Sequence, residues 1–446
     1  MSKCPIGFGC SKYYLFVFGT TIIKILKLLI FSISPNKKGG LFGFTPTLDN
    51  HNFIQSIYKY ISFILGGLIF TYLIKIKTKK ENPININQNL KIKGLIHNKK
   101  GDELEKKTIY QILLVCFIFF FHQESTAILY MFNLYYLDFW VFDFIFIFLF
   151  MNIFFIMNIY KHQKCSMIFI IITNFILLLI SSFLPMIDDK DSDFYGKNSY
   201  QIIEKVTDNS ISFVGILFAF IFISFIISYA RVKTKVLIDF FFILPYKLIF
   251  YIGLIGSFFT TVALIISTFT KCQGREFIVE HVCMKEKNTT DFYFDSISIY
   301  FNNLRDNPNF YLEIFVVTPC YIIICFLEFT FEIMIINYLN PIFVLIKDNL
   351  YYFIVRIFNF ALLHPITLAQ FIILELAEAL AILAYSVFLE VIEFRFLGLD
   401  KDIKRNISER GSRETISLEE SKDLDESFED ENHNNNNNEN LELKNN

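Results

Sequence analysis

Four sets of ionisable side chains interrupt long apolar runs in this chain. His122, Gln123 and Glu124 stand together in the stretch "FFFHQESTAILY". Glu328 and Glu332 are four apart, and Glu375 and Glu378 three apart, so each pair shares one face of any helix that holds it. Arg356 lies in "YYFIVRIFNF". Carboxylates and a histidine can take up and release protons and couple them to a solute. A guanidinium fork can neutralise a carboxylate or grip an anion. The same residues could instead make paired contacts that only hold helices together. As a set they point to a polar, protein-lined cavity along a substrate or ion pathway.

The medium around these residues follows from composition. Of 446 residues, 54% are hydrophobic and 19% charged, with a mean hydropathy of +0.46. Soluble domains carry more charge and less apolar character. The charges fall in blocks, and between them lie apolar runs of about 20 residues, the length that crosses the hydrocarbon of a bilayer. An ionisable group inside such a run costs a few kcal/mol unless it faces a bundle interior or water. The expected fold is therefore an all-α, polytopic membrane protein. The 56 phenylalanines read as lipid-facing and packing positions rather than as an aromatic binding box.

Ten spans are expected, at 13–32, 53–74, 109–134, 139–159, 167–187, 210–229, 240–269, 311–338, 341–360 and 367–392. The first is the weakest, because Lys24 and Lys27 lie near its end and must snorkel if it crosses. Otherwise it lies in the interface as an amphipathic helix. Basic connections set the orientation. The segment 75–107 holds ten lysines against four acids; "YKHQKC", "ARVKTK" and the tail opening "DKDIKRNISER" are basic too. All four fall on one side of a ten-span layout, and the acidic "MIDDKDSDFYGKN" falls opposite. Both termini, 1–12 and the tail, are expected in the cytosol, with the protein in an endomembrane or the plasma membrane.

The non-cytosolic connection 270–308 carries Cys272 and Cys283, eleven apart, and the glycosylation sequon at Asn288. Oxidising conditions there favour a disulfide, the alternative being two buried thiols. From 399 to 446 the chain is acidic and Asn-rich without a core-forming pattern, the composition of a disordered tail. Gly66-Gly67 and Gly253 with Gly256 are small-residue patches that let helices approach closely. Pro245 and Pro319 could break or kink their helices. Zinc-helix, nucleophile-elbow and phosphate-loop motifs are absent from the sequence, so no enzyme, cofactor or metal is expected. Membrane lipid and a small-molecule substrate are the expected partners, and no nucleic acid.

The segment "YARVKTKVLIDFFFILPYKLIFYIGLIGSF", residues 229–258, resembles the join between halves in the drug/metabolite transporter superfamily, the group that includes nucleotide-sugar transporters. Leu244-Pro245-Tyr246 stands where that solute-carrier branch has serine before proline. "NYLNPIFVLIKDNLYYF" and "EVIEFRFLGLDKDIKRNISERG" are similar to stretches from protist proteins of this type. The resemblance runs over about 13–411 and implies two five-helix repeats of opposite orientation around a central site open alternately to each side. It transfers no substrate-binding residues. The expected function is secondary transport of a small organic solute. The alternative is a non-transporting multi-pass protein, such as a receptor, chaperone or trafficking component, that acts through its cytosolic tail.

Overall fold

The computed structural model describes residues 17–27, 51–81, 99–131, 140–155, 159–183, 201, 210–272, 283–286, 291–363 and 368–390. Helix α1 covers 17–27. It is followed by α2 (Asn52–Glu81), α3 (Lys99–Met131), α4 (Trp140–Phe155), α5 (Lys161–Phe183), α6 (Ser210–Asp239) and α7 (Pro245–Phe269). A two-stranded ribbon, β1 (Met284–Lys285) and β2 (Phe292–Tyr293), leads into α8 (Ile297–Asp306). Helices α9 (Phe310–Tyr338), α10 (Ile342–Leu363) and α11 (Leu368–Phe388) complete the described chain.

Seven of these helices, α2, α3, α5, α6, α7, α9 and α11, are long and apolar enough to cross a membrane. Helix α4 is apolar but shorter. Helix α10 is long, but Lys347, Asp348 and Arg356 dilute its apolar character. Each of the ten expected spans thus holds helix in its described part. The distribution of polarity also suits lipid. Leu65, Leu68, Ile69 and Tyr72 of α2 and Phe258, Ile265 and Ile266 of α7 are exposed, whereas many charged groups are buried. A water-soluble protein has the opposite arrangement.

Several boundaries differ from the sequence expectation. The basic segment 75–107 is partly helical, because α2 continues to Glu81 and α3 starts at Lys99. The "ARVKTK" stretch is not a connection. Helix α6 runs through it to Asp239, and the turn to α7 falls at 240–244, with Phe242 at a positive φ of 51°. Nothing in "ARVKTK" stops a helix, and the break waits for Pro245, which sits at the first turn of α7 where its missing N–H costs nothing. Pro319 is likewise near a helix break. Just before it, Glu313–Val317 form a π turn within α9 that leaves the Glu313 carbonyl to accept a bond from the Thr318 hydroxyl at 3.0 Å. The N-terminal 1–12, Asn288, the acidic 186–198 and the tail 399–446 lie outside the described residues.

At one end of the bundle the expected disulfide is present, linking Cys272 to Cys283. Beside it β1 and β2 pair antiparallel, and the exposed Lys271 bonds Asp291 at 2.7 Å, which raises the lysine above its ordinary pKa. The adjoining Asp295 ties this end together. Its carboxylate accepts the backbone N–H of Phe53 at 2.8 Å and of Ile54 at 3.4 Å, so a residue distant in sequence caps the N-terminus of α2. The same carboxylate meets His51 Nδ1 at 2.7 Å, and the Asp295 N–H donates to the Ser267 hydroxyl at 2.9 Å on α7. Around it pack Ile54, Leu264, Tyr300, Leu304, Val317 and Tyr321 from α2, α7, α8 and α9. Burial pushes the Tyr300 phenol above its ordinary pKa.

The most extensive contact between helices joins α2 to α7. Glycines make it possible. A Cβ on Gly253 would lie 2.8 Å from both the Ile64 nitrogen and the Tyr60 carbonyl oxygen, and one on Gly67 would lie 2.9 Å from the Phe250 nitrogen. Backbone cannot give way as a side-chain tip can, so these positions admit only hydrogen. Elsewhere α4 packs on α6, and α5, α10 and α11 share a small core of Leu177, Leu374, Ala377 and Phe360.

Two compact units are distinguishable. The larger takes in nearly all of the elements above. The smaller, in its described part 159–169 with 383–390, contains the first turns of α5 and the last of α11. Within it the Ser166 hydroxyl donates to the Ala384 carbonyl, Gln163 Nε2 donates to the Phe388 carbonyl at 3.4 Å, and His162 meets Glu390 at 3.1 Å.

Two outcomes test this packing. Gly253→Ala should cost about 1–3 kcal/mol of stability from overpacking, while Gly215→Ala, where a new methyl meets nothing, should be tolerated. Asp295→Ala should lose about 1–2 kcal/mol through the missing cap of α2. Thermal unfolding of the purified protein in detergent would read all three variants.

Candidate functional site

Glu328 and Glu332 project from one face of α9 into the larger unit, as their spacing requires. There they meet charges from several other helices. Lys347 and Asp348 lie in the second turn of α10, which starts where the Asn340 side chain accepts the Ile342 N–H at 2.7 Å. Lys24 and Lys27, three apart on α1, reach the same region. Asp143 comes from α4 and Arg231 from α6.

The contacts form a network around Arg231, Lys347 and Asp348, with the Lys27–Glu328 pair and Lys59 within electrostatic reach of it. Lys347 Nζ bonds Glu332 at 2.8 Å and Asp348 at 3.0 Å. Lys24 bonds Asp348 at 2.8 Å and lies 4.9 Å from the centre of the Tyr351 ring. Lys27 meets Glu328 at 3.4 Å and stands 5.6 Å from the Tyr321 ring centre. Arg231 reaches three carboxylates on three helices: Asp143 at 3.6 Å, Glu332 at 3.4 Å and Asp348 at 3.4 Å. Its guanidinium is not saturated, since Nε and Nη1 are buried without a hydrogen-bond partner among the described residues. Both atoms are nonetheless ion-paired, Nε with Glu332 at 3.4 Å and Nη1 with Asp143 at 3.6 Å.

Lys59 stands at the edge of the network on α2. Its ammonium donates a short hydrogen bond to the Gln123 side-chain oxygen, and no carboxylate pairs with it among the described residues. His122 lies within electrostatic reach of Arg231, Lys59, Glu332 and Asp348. The network therefore holds five cations, Lys24, Lys27, Lys59, Arg231 and Lys347, against four carboxylates, Asp143, Glu328, Glu332 and Asp348.

The other expected site residues fall into two separate places. Arg356 on α10 meets Glu375 and Glu378 on α11, each at 3.4 Å. Glu124 follows Gln123 directly, but the helix turns it to another face. There it is buried, accepting a hydrogen bond from the Thr260 hydroxyl of α7 at 3.2 Å and another from Ser56 of α2. The eight residues singled out in the sequence are thus not one site. His122, Gln123, Glu328 and Glu332 belong to the network, while Arg356 with Glu375 and Glu378, and Glu124, stand apart.

Sequence reasoning missed more than half of the network. Lys24 and Lys27 read from sequence either as snorkelling from a spanning helix or as the polar face of an interfacial one, whereas in the structure they pair with Asp348 and Glu328. Arg231 was placed in an extramembrane connection, yet it is buried. Lys59, Asp143, Lys347 and Asp348 each lie within an expected span, so the rule that flags Glu328 would flag them too. They lie near span ends, where a charge is cheap and attracts no notice. Among the described residues no cluster of His, Cys, Asp or Glu has the arrangement that holds a metal.

Arg231 binds three acids at once, so removing its charge leaves each of them less compensated in a dry setting. Arg231→Met should cost about 3–5 kcal/mol. Arg231→Lys should lose less. Unfolding midpoints in detergent for the two variants check the ranking.

No family model matches this chain, and no curated protein matches it.

Proposed function

We propose that the chain is a secondary transporter that carries a small organic anion across a membrane by alternating access. The observation that supports this reading is the excess of positive charge in the buried network. Five cations face four carboxylates, Lys59 meets only an amide oxygen, and two nitrogens of Arg231 lack hydrogen bonds. A buried charge without a partner costs several kcal/mol. An anionic solute that enters beside Lys59 and Arg231 removes that cost, and binding energy of this kind drives a conformational change. Salt bridges that share acids can also exchange partners as helices move. Lys347, Lys24 and Arg231 all compete for Asp348.

The fuller architecture belongs to the same reading. In it α1 to α7 and α9 to α11 are ten crossings, with both termini cytosolic and the disulfide on the opposite side. The two sets of five form inverted halves, as the resemblance to drug/metabolite transporters implies. The network lies between them, with α1, α2, α3 and α4 from one half and α6, α9 and α10 from the other. The unpaired cation distinguishes this from a purely architectural role, in which every buried charge would be matched. In that second reading a multi-pass protein acts through its tail. It is favoured by the close pairing of Lys24 and Lys347 with Asp348.

Purified protein in liposomes should take up or exchange at least one member of a panel of radiolabelled monocarboxylates, phosphate monoesters and nucleotide sugars. Lys59→Gln should abolish that flux while leaving the protein folded. Flux no higher than in empty vesicles across the whole panel, with full activity of the tail in partner capture, would favour the second reading.

A further inference from the structure

Six carboxylates within the apolar helices, Asp143, Glu328, Glu332, Asp348, Glu375 and Glu378, each lie against a lysine or an arginine. Glu124 does not. It is 8% exposed, yet among the described residues no cation pairs with it, and its partners are the hydroxyls of Ser56 and Thr260, themselves 4% and 0% exposed. The Tyr60 hydroxyl is buried without a hydrogen-bond partner among the described residues and lies within electrostatic reach of the same carboxylate. Its ring is seated against Gly256, where a Cβ would come within 2.3 Å of Tyr60 Cε1. Gly256 lies one turn from Thr260, so a single face of α7 shapes the pocket wall. The charged groups around Glu124 are Lys59, one turn along α2 from Ser56, and Asp295, which caps that helix.

We propose that Glu124 is a proton-binding site that switches the charge balance of the neighbouring network. The proposal rests on the transport reading above and names its coupling ion. When Glu124 is ionised, its negative charge offsets the surplus cation at Lys59, which lies on the adjacent turn of α2 and bonds Gln123, the residue next to Glu124. When a proton converts the carboxylate to a neutral acid, the five cations exceed the nearby acids by one, and a monoanion restores neutrality. One proton and one monoanion then move together, with no net charge carried.

A sodium ion fits this place less well. Sodium sites in transporters draw on backbone carbonyls freed where helices unwind. Helices α2, α3 and α7 are continuous through Ser56, Glu124 and Thr260, so their carbonyls are engaged in the helices. What remains is a carboxylate with two or three hydroxyls, which can hold a proton on the acid without further ligands. The hydroxyls can donate to the ionised form, and each can rotate to accept from the protonated form.

A hydrophobic carbodiimide, which modifies protonated carboxylic acids within membranes, tests the site on the intact protein. In liposomes, dicyclohexylcarbodiimide followed by peptide mapping should modify Glu124, and the modification should disappear as the pH is raised. Glu328, Glu332 and Asp348, each paired with a lysine or an arginine, should stay unmodified throughout. Modification of those three with none at Glu124 would overturn the proposal. In the same vesicles Glu124→Gln should keep exchange of an anion across the membrane and lose accumulation driven by a pH gradient. Accumulation that persists in Glu124→Gln would also overturn it. Absence of any flux in the native protein, with Glu124 still modified, would sink the transport reading and leave the proton site standing.

Discussion

Arg231 is the tie on which the interior depends. One guanidinium on α6 holds carboxylates from α4, α9 and α10, each far from Arg231 in sequence. Each of those acids would be costly in isolation, and so would the arginine. Their assembly is therefore mutually required: a helix that moves away leaves charge behind on the others. Apolar side chains cannot impose such a constraint in a bilayer, where lipid is as good a partner as leucine. Close backbone contact at Gly67 and Gly253 holds α2 against α7, and ionic matching around Arg231 holds α4, α6, α9 and α10.

The network is also unbalanced, and in the proposed transport reading that imbalance is what a solute acts on. A fully matched set of ions would be a rivet. Here Lys59 bonds only the Gln123 amide among the described residues, and the proposed reading takes that surplus cation as the group a mobile anion would meet. Glu124, with hydroxyls for partners and Lys59 within electrostatic reach, is the group that the proposal has meet that demand when no anion is present. In that proposal the two states differ by one proton and one anion.

The disulfide-bearing end does different work. Asp295 joins the start of α2, the end of α7 and the start of α8 through backbone and hydroxyl bonds, and the cysteine bridge and short ribbon lie beside it. Because α2 also carries Ser56 and Lys59 within its first two turns, fixing its N-terminus fixes the height at which those side chains enter the interior. The cap is thus a positioning device for the site as well as a stabilising contact for the helix.

Apolar run length by itself determined that this is a helical, membrane-type chain, because crossing hydrocarbon demands about 20 apolar residues whatever their neighbours. Cysteine spacing and context likewise located the bridge between Cys272 and Cys283, and the local cost of charge in apolar runs marked Glu328, Glu332 and Glu124. Which of these marked residues belong together was decided only in three dimensions. Gln123 and Glu124 are adjacent in sequence but serve different places, since neighbours on a helix point about 100° apart. Arg231 reads as a surface basic residue because nothing in "ARVKTK" says that α6 continues, and only the acids waiting on α4, α9 and α10 make its burial affordable. Lys24 and Lys27 are the same case. A lysine near the end of an apolar run can turn to water or to a buried carboxylate, and the choice rests on partners more than 300 residues away.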